Sequence, residues 1–343
     1  MKTTKIRKNL LVTLADRNYV GQAKQLFSSV YWNAGWKGDY MLLAYKISEN
    51  DLKWFKEKRI LITNCKPIYS EKKLKGLYRE YPTPTKKQYS LNCLNIILNK
   101  LYLFAPEFKK WKNIIFLDTD IIVRASLDDL IEIKGFAAVT DSTPKLKDQF
   151  INPKRNKVLF NKLKKKYNLN EKAFNSGVFV FSTDITKKDT ISKLKKILEI
   201  HNKINKRNDQ LSLNILFYKK WIELPLIFNW YYHHIGFSTI LNKKNSNTKS
   251  ITVHFTGNMK PWNPNCPFYK EWKNNLEKAD LINIGKPQEP RKKFTKKEIE
   301  KYSKILKRKN FLYAPIWTID KILGVIGIFL KKHFPRLYFE LKK

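Results

Sequence analysis

The sequence predicts an α/β fold built on a mostly parallel central sheet. Over the first 130 residues, short β-branched or leucine-rich runs alternate with helical stretches, and two carboxylates follow one of these runs. The chain has 343 residues, 43% of them hydrophobic. Alternation of this kind is typical of parallel strands covered by helices, and a chain of this length and composition can bury a large core.

The predicted elements follow the alternation in order. Strands are expected at 10–14, 40–44, 60–63 and 114–117, separated by helices at 20–34, 49–57 and 89–104. Residues 141–170 are polar and lysine-rich, which predicts a loop and a surface helix. A strand at 174–181, helices at 191–202 and 210–218 and a strand at 252–255 complete a single Rossmann-like domain over residues 1–286.

The charge is strongly positive. The formal net charge is +40, with 59 lysines and 10 arginines. Such a charge predicts an acidic partner, either a phosphorylated ligand, an anionic lipid surface or nucleic acid. Proteins that recognise nucleic-acid bases and phosphates favour arginine, however. The lysine excess is also typical of a compositional bias of the source.

The three cysteines predict no metal site or disulfide framework. Cys65, Cys93 and Cys266 lack the paired spacing of zinc ligands, and their odd count suits reduced thiols. The first eight residues lead into a strand without the apolar core of a signal peptide. We therefore expect a cytoplasmic protein.

The most informative motif is a pair of aspartates. Asp118 and Asp120 follow the apolar run 113–117, so both are expected at the carboxyl edge of the sheet, where α/β proteins bind ligands. Positions i and i+2 of an extended chain point to one face, so the two carboxylates can share one Mg²⁺ or Mn²⁺. The same pair also occurs by chance at turns and helix caps.

A histidine segment strengthens the metal hypothesis. His254 ends a strand-like run and can complete a metal site, while Gly257 allows a pyrophosphate to approach the backbone and Lys260 supplies a positive charge. Taken alone, His254 is more simply an ordinary hydrogen-bonded histidine.

Two further motifs offer groups for a sugar. Asn175 and Ser176 precede a buried strand and can donate to hydroxyl groups. Asp209 and Gln210 lie at a predicted helix start, where Asp209 is alternatively an N-cap.

Taken together and in this order, these motifs resemble glycosyltransferase family 8, the retaining enzymes that include glycogenin and bacterial lipopolysaccharide galactosyltransferases. The resemblance runs from about Leu10 to Trp262, through segments 13–19, 117–127, 174–181, 209–214, 224–229 and 254–262. It implies the GT-A fold and a UDP-sugar donor.

The resemblance also implies roles for individual residues. Asp16 and Asn18 would contact the uridine, and Tyr19 would stack on the uracil. Mn²⁺, or Mg²⁺, would be bound by Asp118, Asp120 and His254. Catalytic roles would fall to Asp209, Gln210 and Lys100, and the nucleotide-sugar would be bound by Leu14, Asp16, Asn18, Tyr19, Lys100, Asp118, Thr119, Asn175, Ser176, Gly257 and Lys260.

Retention of configuration leaves two mechanisms open. In a mechanism with a covalent glycosyl intermediate, Asp209 is the only plausible carboxylate nucleophile in these motifs. Same-face attack would need only a stabilised oxocarbenium-like sugar cation, and Gln210 could contribute to that stabilisation. We favour same-face attack.

The acceptor is expected to be a separate saccharide or lipid-linked saccharide. Glycogenin-type enzymes glucosylate their own tyrosine, but the matching position here is near Gly236, with Tyr231 and Tyr232 close by. Self-glycosylation therefore stays a weaker alternative.

The last segment, 287–343, is predicted to be a basic amphipathic helical extension. Residues 291–343 contain 16 lysines and arginines against 4 acidic residues, mixed with aromatics and a short apolar run at 322–330. This mixture is typical of a helix lying on an anionic membrane surface, and it resembles the tail of the lipopolysaccharide enzymes. We expect peripheral attachment to the cytoplasmic face of a membrane. The alternative is a helix that packs on the catalytic domain.

Two other protein classes remain as alternatives. The charge and the interleaved aromatics are compatible with a basic nucleic-acid-binding protein on a Rossmann-like scaffold, although the ordered motifs and the low arginine share argue against it. An inactive transferase fold is disfavoured because every metal-binding candidate and Lys260 are present.

Overall fold

A seven-stranded sheet forms the centre of the molecule. The computed structural model describes residues 7–80, 91–150, 157–236 and 238–335. Within these residues the strands are β1 Leu10–Asp16, β2 Asp39–Tyr45, β3 Leu61–Asn64, β4 Asn113–Leu117, β5 Ile121–Val123, β6 Phe136–Lys145, β7 Lys172–Ser182, β8 Trp221–Glu223, β9 Trp230–Tyr231 and β10 Thr252–His254. The large sheet has the order β3-β2-β1-β4-β7-β6-β8, and a smaller sheet has the order β5-β10-β9.

Helices cover the large sheet. They are α1 Val20–Ser29, α2 Glu49–Glu57, α3 Glu71–Glu80, α4 Leu91–Asn99, α5 Lys157–Lys166, α6 Thr190–His201, α7 Asp209–Leu216, α8 Thr239–Ser246, α9 Tyr269–Glu277 and α10 Lys296–His333. A π-helical turn, Val30–Ala34, extends α1, and a 3₁₀ turn, Lys100–Phe104, extends α4.

The strand order creates the crevice that contains the candidate site. β1 pairs in parallel with β2 on one side and with β4 on the other. The order in which strands are added to the sheet therefore reverses at β1, between β3 and β4. In open α/β sheets, ligands bind beyond the carboxyl ends of the strands at such a switch point. Asp16 ends β1 and Asp118 follows β4, so both lie at this edge.

The predicted fold class, with its mostly parallel sheet, is confirmed, and one predicted element departs from the structure. β7 runs antiparallel to β4 and β6, so the sheet is mostly but not wholly parallel. The loop predicted from residue 141 was wrong at its start, because β6 continues to Lys145 with shifts in its register against β7. Its polar sequence hid the strand, since Asp141 is buried among amide side chains.

The other predicted elements are present, with bounds that differ by a few residues. The helix expected at 89–104 is seen as α4 and its 3₁₀ extension, and residues 89 and 90 lie outside the described part of the chain. The sequence did not predict α3, α8, α9, the first part of β6 or the short strands β8 and β9. The two short strands have three and two residues. Strands of two or three residues carry too few side chains for a detectable alternation of apolar and polar positions.

Two apolar clusters lie on opposite faces of the sheet. Successive strand residues separate between them: Leu11 and Ile115 belong to one cluster, and Leu10, Val12 and Ile114 to the other. This is the alternation that a pleated strand imposes on its side chains. Both faces are therefore buried, as expected for a sheet covered by helices.

The C-terminal helix α10 is divided into two halves with different environments. It begins at a capping box formed by Thr295 and Glu298. Ile299 and Leu306 are buried in the first cluster, as is Phe294 just before the helix. From Phe311 onward, large apolar side chains are exposed. The first half of the helix therefore packs on the main core, whereas these large apolar side chains of the second half are exposed.

Two sequence predictions concern this region. The boundary at residue 286 stays a prediction, and the main core extends past it through Phe294, Ile299 and Leu306. Among the described residues, no helix has the length and apolarity needed to cross a membrane.

We expect Leu306→Ala to lower the free energy of unfolding by about 2–5 kcal/mol, because Leu306 is 1% exposed and its removal would leave a cavity. Ile319→Ala is the matched control: Ile319 is 51% exposed, so its change should stay within about 0.5 kcal/mol. Urea denaturation of both variants measures the difference. Equal stabilities would show that α10 does not share the core.

Candidate active site

Three side chains at the crevice form a cluster suited to a metal ion. Asp118, Asp120 and His254 each offer a ligand atom, and these atoms lie within 4.8 Å of one another. The Nε2 atom of His254 is 3.3 Å from Asp120 Oδ1 and 3.8 Å from Asp118 Oδ2. Carboxylate oxygens with one imidazole nitrogen form a set that divalent metals accept. The arrangement is therefore compatible with binding of a divalent cation.

Asn229 orients the histidine of this cluster. Its Oδ1 lies 3.0 Å from His254 Nδ1, and its Nδ2 donates to Asn175 Oδ1 at 3.1 Å. Since Nδ2 is used as a donor, Oδ1 faces the ring and must accept, which places the imidazole proton on Nδ1. The Nε2 atom, on the other side of the ring, faces the two aspartates.

The site also requires a glycine at position 177. A Cβ atom there would overlap His254 Cε1 and would lie 2.8 Å from Asp118 Oδ2. The Gly177 carbonyl accepts a hydrogen bond from the Asp118 backbone N–H at 2.8 Å. The end of β4 and the middle of β7 are thus held together at the cluster.

Lys260 pairs with the metal cluster. Its Nζ donates to Asp120 Oδ2 at 2.6 Å. Burial alone would raise the pKa of Asp120, but His254 and Lys260 outweigh it and lower that pKa well below its usual range. Asp120 is therefore ionised at neutral pH and available as a ligand.

Lys100 is a buried cation between two carboxylates. Its Nζ lies 3.1 Å from Asp118 Oδ1 and 3.2 Å from Asp209 Oδ2, and it donates to the Ser176 carbonyl at 3.1 Å. Burial opposes its charge, but the two ion pairs prevail and raise its pKa. All three of its protons have acceptors, so the geometry favours a role in positioning Asp118 and Asp209.

Asp209 is the first residue of α7 rather than its cap, because the N-cap is Asn208. Asn208 has φ +50° and ψ −113°, a conformation that non-glycine residues rarely adopt and that is often found at functional sites. The Asp209 carboxylate accepts from Ser176 Oγ at 2.8 Å. Burial raises the pKa of Asp209, and the adjacent Lys100 offsets only part of this effect.

Gln210 is held by a complete set of hydrogen bonds. Its Oε1 accepts from Asn175 Nδ2 and from the Ser176 N–H, each at 3.1 Å. Its Nε2 donates to Asp141 Oδ2 at 2.6 Å and to Gln149 Oε1 at 2.8 Å. The orientation of its amide is therefore fixed by partners from β6, β7 and the turn after β6.

A cleft of about 590 Å³ connects these groups. Tyr19 lies at its rim, 39% exposed, with its ring edge-to-face with Trp262 at a centroid distance of 6.0 Å. Of the predicted site residues, the cleft is lined by Leu14, Asp16, Tyr19, Lys100, Asp118, Thr119, Asp120, Asn175, Ser176, Asp209, Gln210, His254, Gly257 and Lys260.

Asn18 is the predicted residue that the cleft does not include. Its backbone N–H and side-chain amide both bond to the Asp16 carboxylate, at 2.9 and 3.3 Å. In this arrangement Asn18 braces Asp16. The roles assigned to all of these residues stay predictions.

Several residues of the site were not predicted from the sequence. Asp141 and Gln149 contact Gln210 from a segment that resembled a loop. Arg207 lines the cleft from the turn before α7 and contacts Thr143 Oγ1 at 3.4 Å. Asn229 ends the segment 224–229, which resembles the family, but the sequence offers no signal of its contact with His254.

Comparison with solved structures places the fold in a known class. The chain is similar to the apo structure of the bifunctional glycosyltransferase WbbM, with a TM-score of 0.57 and 19% identity over 80% of this chain and 50% of that one. It is also similar to the galactosyltransferase LgtC, solved with donor and acceptor sugar analogues, with a TM-score of 0.55 and 17% identity over 78% of this chain and 95% of that one. The fold is the GT-A fold of glycosyltransferases.

The family follows from the sequence itself. The family model described as glycosyl transferase family 8 matches residues 10–266, and the chain belongs to this family. The family assignment disfavours the alternative of a nucleic-acid-binding protein.

Curated relatives come from streptococci. Glycosyltransferase GlyB of Streptococcus pneumoniae is 31% identical over 202 residues, which are 52% of this chain and 42% of that protein. The probable glycosyl transferase Gly of Streptococcus gordonii is 26% identical over 164 residues, or 47% of this chain and 21% of that protein. The matched regions thus span less than half of these relatives.

We expect Gly177→Ala to weaken divalent cation binding by at least about tenfold, because the added methyl group displaces His254 and Asp118. Calorimetric titration with Mn²⁺ measures the affinity, and thermal unfolding checks the fold.

Gly21→Ala in α1 is the matched control, since no atom lies within 4 Å of its added Cβ. It should bind Mn²⁺ like the parent protein. Unchanged affinity in Gly177→Ala would contradict the assigned ligands.

Proposed function

We propose that the protein is a retaining glycosyltransferase that transfers a hexose, glucose or galactose, from a UDP-sugar to a saccharide or lipid-linked saccharide. The observation that carries this proposal is the single cleft that joins the Asp118, Asp120 and His254 cluster to Asp209 and Gln210. The membership in family 8 supports the same reaction class.

The nucleotide would bind at the end of the cleft formed by β1. Tyr19 offers a half-buried ring for the uracil, and Asp16, braced by Asn18, offers carboxylate oxygens. Leu14 and Thr119 line the same region. Lys260 and the backbone at Gly257 are at the metal cluster, where the diphosphate would lie.

Mn²⁺ is the proposed cofactor. Two carboxylates with one imidazole suit Mn²⁺ better than Mg²⁺, which favours sites made of oxygen ligands alone. A cation bound by Asp118, Asp120 and His254 would stabilise negative charge on the departing diphosphate. Lys260 would add a positive charge to the same group.

The transfer breaks the bond from the anomeric carbon to the β-phosphate oxygen and forms a bond from that carbon to an acceptor oxygen. For retention we propose same-face attack, in which the acceptor hydroxyl passes its proton to the leaving phosphate oxygen. The contacts of Asp209 with Lys100 and Ser176, both made by Oδ2, support this choice because they hold the carboxylate as a paired anion. Same-face attack needs no covalent bond to it. Gln210 and Asn175 would line the sugar-binding part of the cleft.

The acceptor would be a separate molecule. Tyr231 and Tyr232 are 2% and 1% exposed, and the Tyr231 hydroxyl donates to the Thr140 carbonyl at 2.8 Å. Buried, hydrogen-bonded phenols are poor targets for self-glycosylation. This burial supports an exogenous saccharide acceptor.

The second half of α10 would attach the enzyme to an anionic membrane surface. Its large exposed apolar side chains include Phe311, Leu312, Ile322, Ile326 and Phe329, each at least 46% exposed. Lys332 lies in the same half and is also exposed. Apolar and cationic side chains on one exposed helix are typical of peripheral membrane attachment. We place the enzyme on the cytoplasmic face, where nucleotide-sugars are made.

The donor is tested by measuring UDP release with Mn²⁺ from UDP-glucose, UDP-galactose and their N-acetyl forms. We expect release from a hexose donor, and at least about a 100-fold loss in Asp120→Asn because charge stabilisation at the leaving group is removed. Asp189→Asn, on an exposed carboxylate paired with Lys193, should retain activity. A fully active Asp120→Asn enzyme would refute the site.

Membrane attachment is tested by a variant that ends at Asn310, which keeps Phe294, Ile299 and Leu306 in the core. We expect it to remain folded, to release UDP and to lose sedimentation with phosphatidylglycerol vesicles, because the exposed apolar half of α10 is gone. Circular dichroism confirms folding. Sedimentation equal to that of the full chain would rule out this attachment.

A further inference from the structure

A second cavity lies between α10 and the segment 244–249. It has a volume of about 500 Å³, which is within the range of small-molecule sites. We call it the helix pocket. Its cationic lining residues are Lys244, Lys249, Arg308 and Lys309, and its apolar wall includes Leu306 and Leu312.

The helix pocket is strongly electropositive. Four cationic side chains line it, and within the described residues no aspartate or glutamate does. Burial, followed by the nearby charge of Lys244, lowers the pKa of Lys309 to about 8. Positive charges gathered without a counter-ion repel one another, and a bound anion would relieve that repulsion.

The cationic wall is built by specific contacts. Lys309 Nζ donates to Thr248 Oγ1 at 2.7 Å and to the Lys244 carbonyl at 3.2 Å. Arg124 donates to the Thr248 carbonyl at 2.8 Å and forms an ion pair with Glu271. The segment 244–249 is thereby fixed against both α10 and α9, so the pocket is preformed.

The apolar wall continues into the exposed half of α10. Leu312 lines the pocket and is 68% exposed, and Phe311 beside it is 79% exposed. The exposed apolar residues follow from this point to Phe334. A ligand with a phosphate in the pocket would therefore have an apolar surface directly next to it.

We infer that the helix pocket binds the phosphate headgroup of an anionic membrane lipid, whose acyl chains lie against the second half of α10. A nucleic acid phosphate fits less well, because its neighbours are sugars and bases rather than acyl chains. This inference rests on the membrane attachment proposed above. It adds a defined headgroup site to that attachment.

The test uses full-length variants and vesicles of phosphatidylcholine with or without phosphatidylglycerol at one ionic strength. Lys249→Gln/Arg308→Gln removes two exposed pocket cations. Lys297→Gln/Lys301→Gln is the matched control, since it removes the same charge from exposed positions of α10 that do not line the pocket. Thermal unfolding confirms that each variant is folded.

We expect the pocket variant to bind phosphatidylglycerol vesicles at least about tenfold more weakly than the control, since a cation close to a headgroup contributes most. Equal loss in both variants would show that only general charge attracts the membrane, and would overturn the headgroup site. No loss in either variant would also overturn it.

Two further arms separate the possible failures. In the first arm, glycerol phosphate should compete with vesicles for binding to the parent protein. If inorganic phosphate binds the pocket but the two variants bind vesicles equally well, the site takes free phosphate and the lipid assignment is wrong. UDP release with a soluble acceptor is measured in parallel. Its absence would count against the transferase proposal, and the vesicle results would still decide the headgroup site.

Discussion

The buried ammonium group of Lys100 is the interaction on which the site depends. It lies between Asp118, a candidate metal ligand, and Asp209, at the proposed sugar-binding end of the cleft. The Asp209 side chain is buried and that of Asp118 is one third exposed. Without a cation between them, the two carboxylates would repel each other and Asp209 would resist ionisation. The position of Lys100, in the 3₁₀ turn after α4, therefore couples the packing of that helix to the geometry of both ends of the cleft. Phe116 on β4 lies beneath the ammonium group at 4.7 Å from its ring centroid, which limits where that group can move.

Much of the architecture was predictable because it depends on repeated patterns. The strands β1, β2, β4 and β7 carry long apolar runs that are buried on both faces, and such runs are hard to place in any other structure. Asp118 follows one of these runs directly, so its position at the sheet edge could be inferred from its neighbours alone. Its partner His254 required the resemblance to a family, since 136 residues of sequence separate the two and local patterns carry no information about which strand ends meet.

The contacts that organise the site were harder to predict, for physical reasons. Asp141 and Gln149 lie in a polar stretch, and their buried side chains bond to each other and to Gln210, a residue about 60 to 70 positions away. Polar side chains are expected at the surface unless their partners are known. Asn229 orients His254 by a direct contact, and Gly177 leaves the space that the histidine ring needs. No sequence periodicity encodes such contacts. The different environments of the two halves of α10 were equally hard to predict, because lysines are spread along both halves. Only packing distinguishes the buried Leu306 from the exposed Ile319.

The short strand β10 joins the two binding regions described above. Lys249 of the helix pocket and His254 of the metal cluster are five residues apart, so the backbone between them can span no more than about 18 Å. If a lipid headgroup is bound at one end, the transfer chemistry takes place at a fixed and small height above the bilayer. The enzyme would then act as a molecular ruler, with reach only to sugars attached close to the membrane. Elongation of a long glycan at its distal tip would lie beyond it.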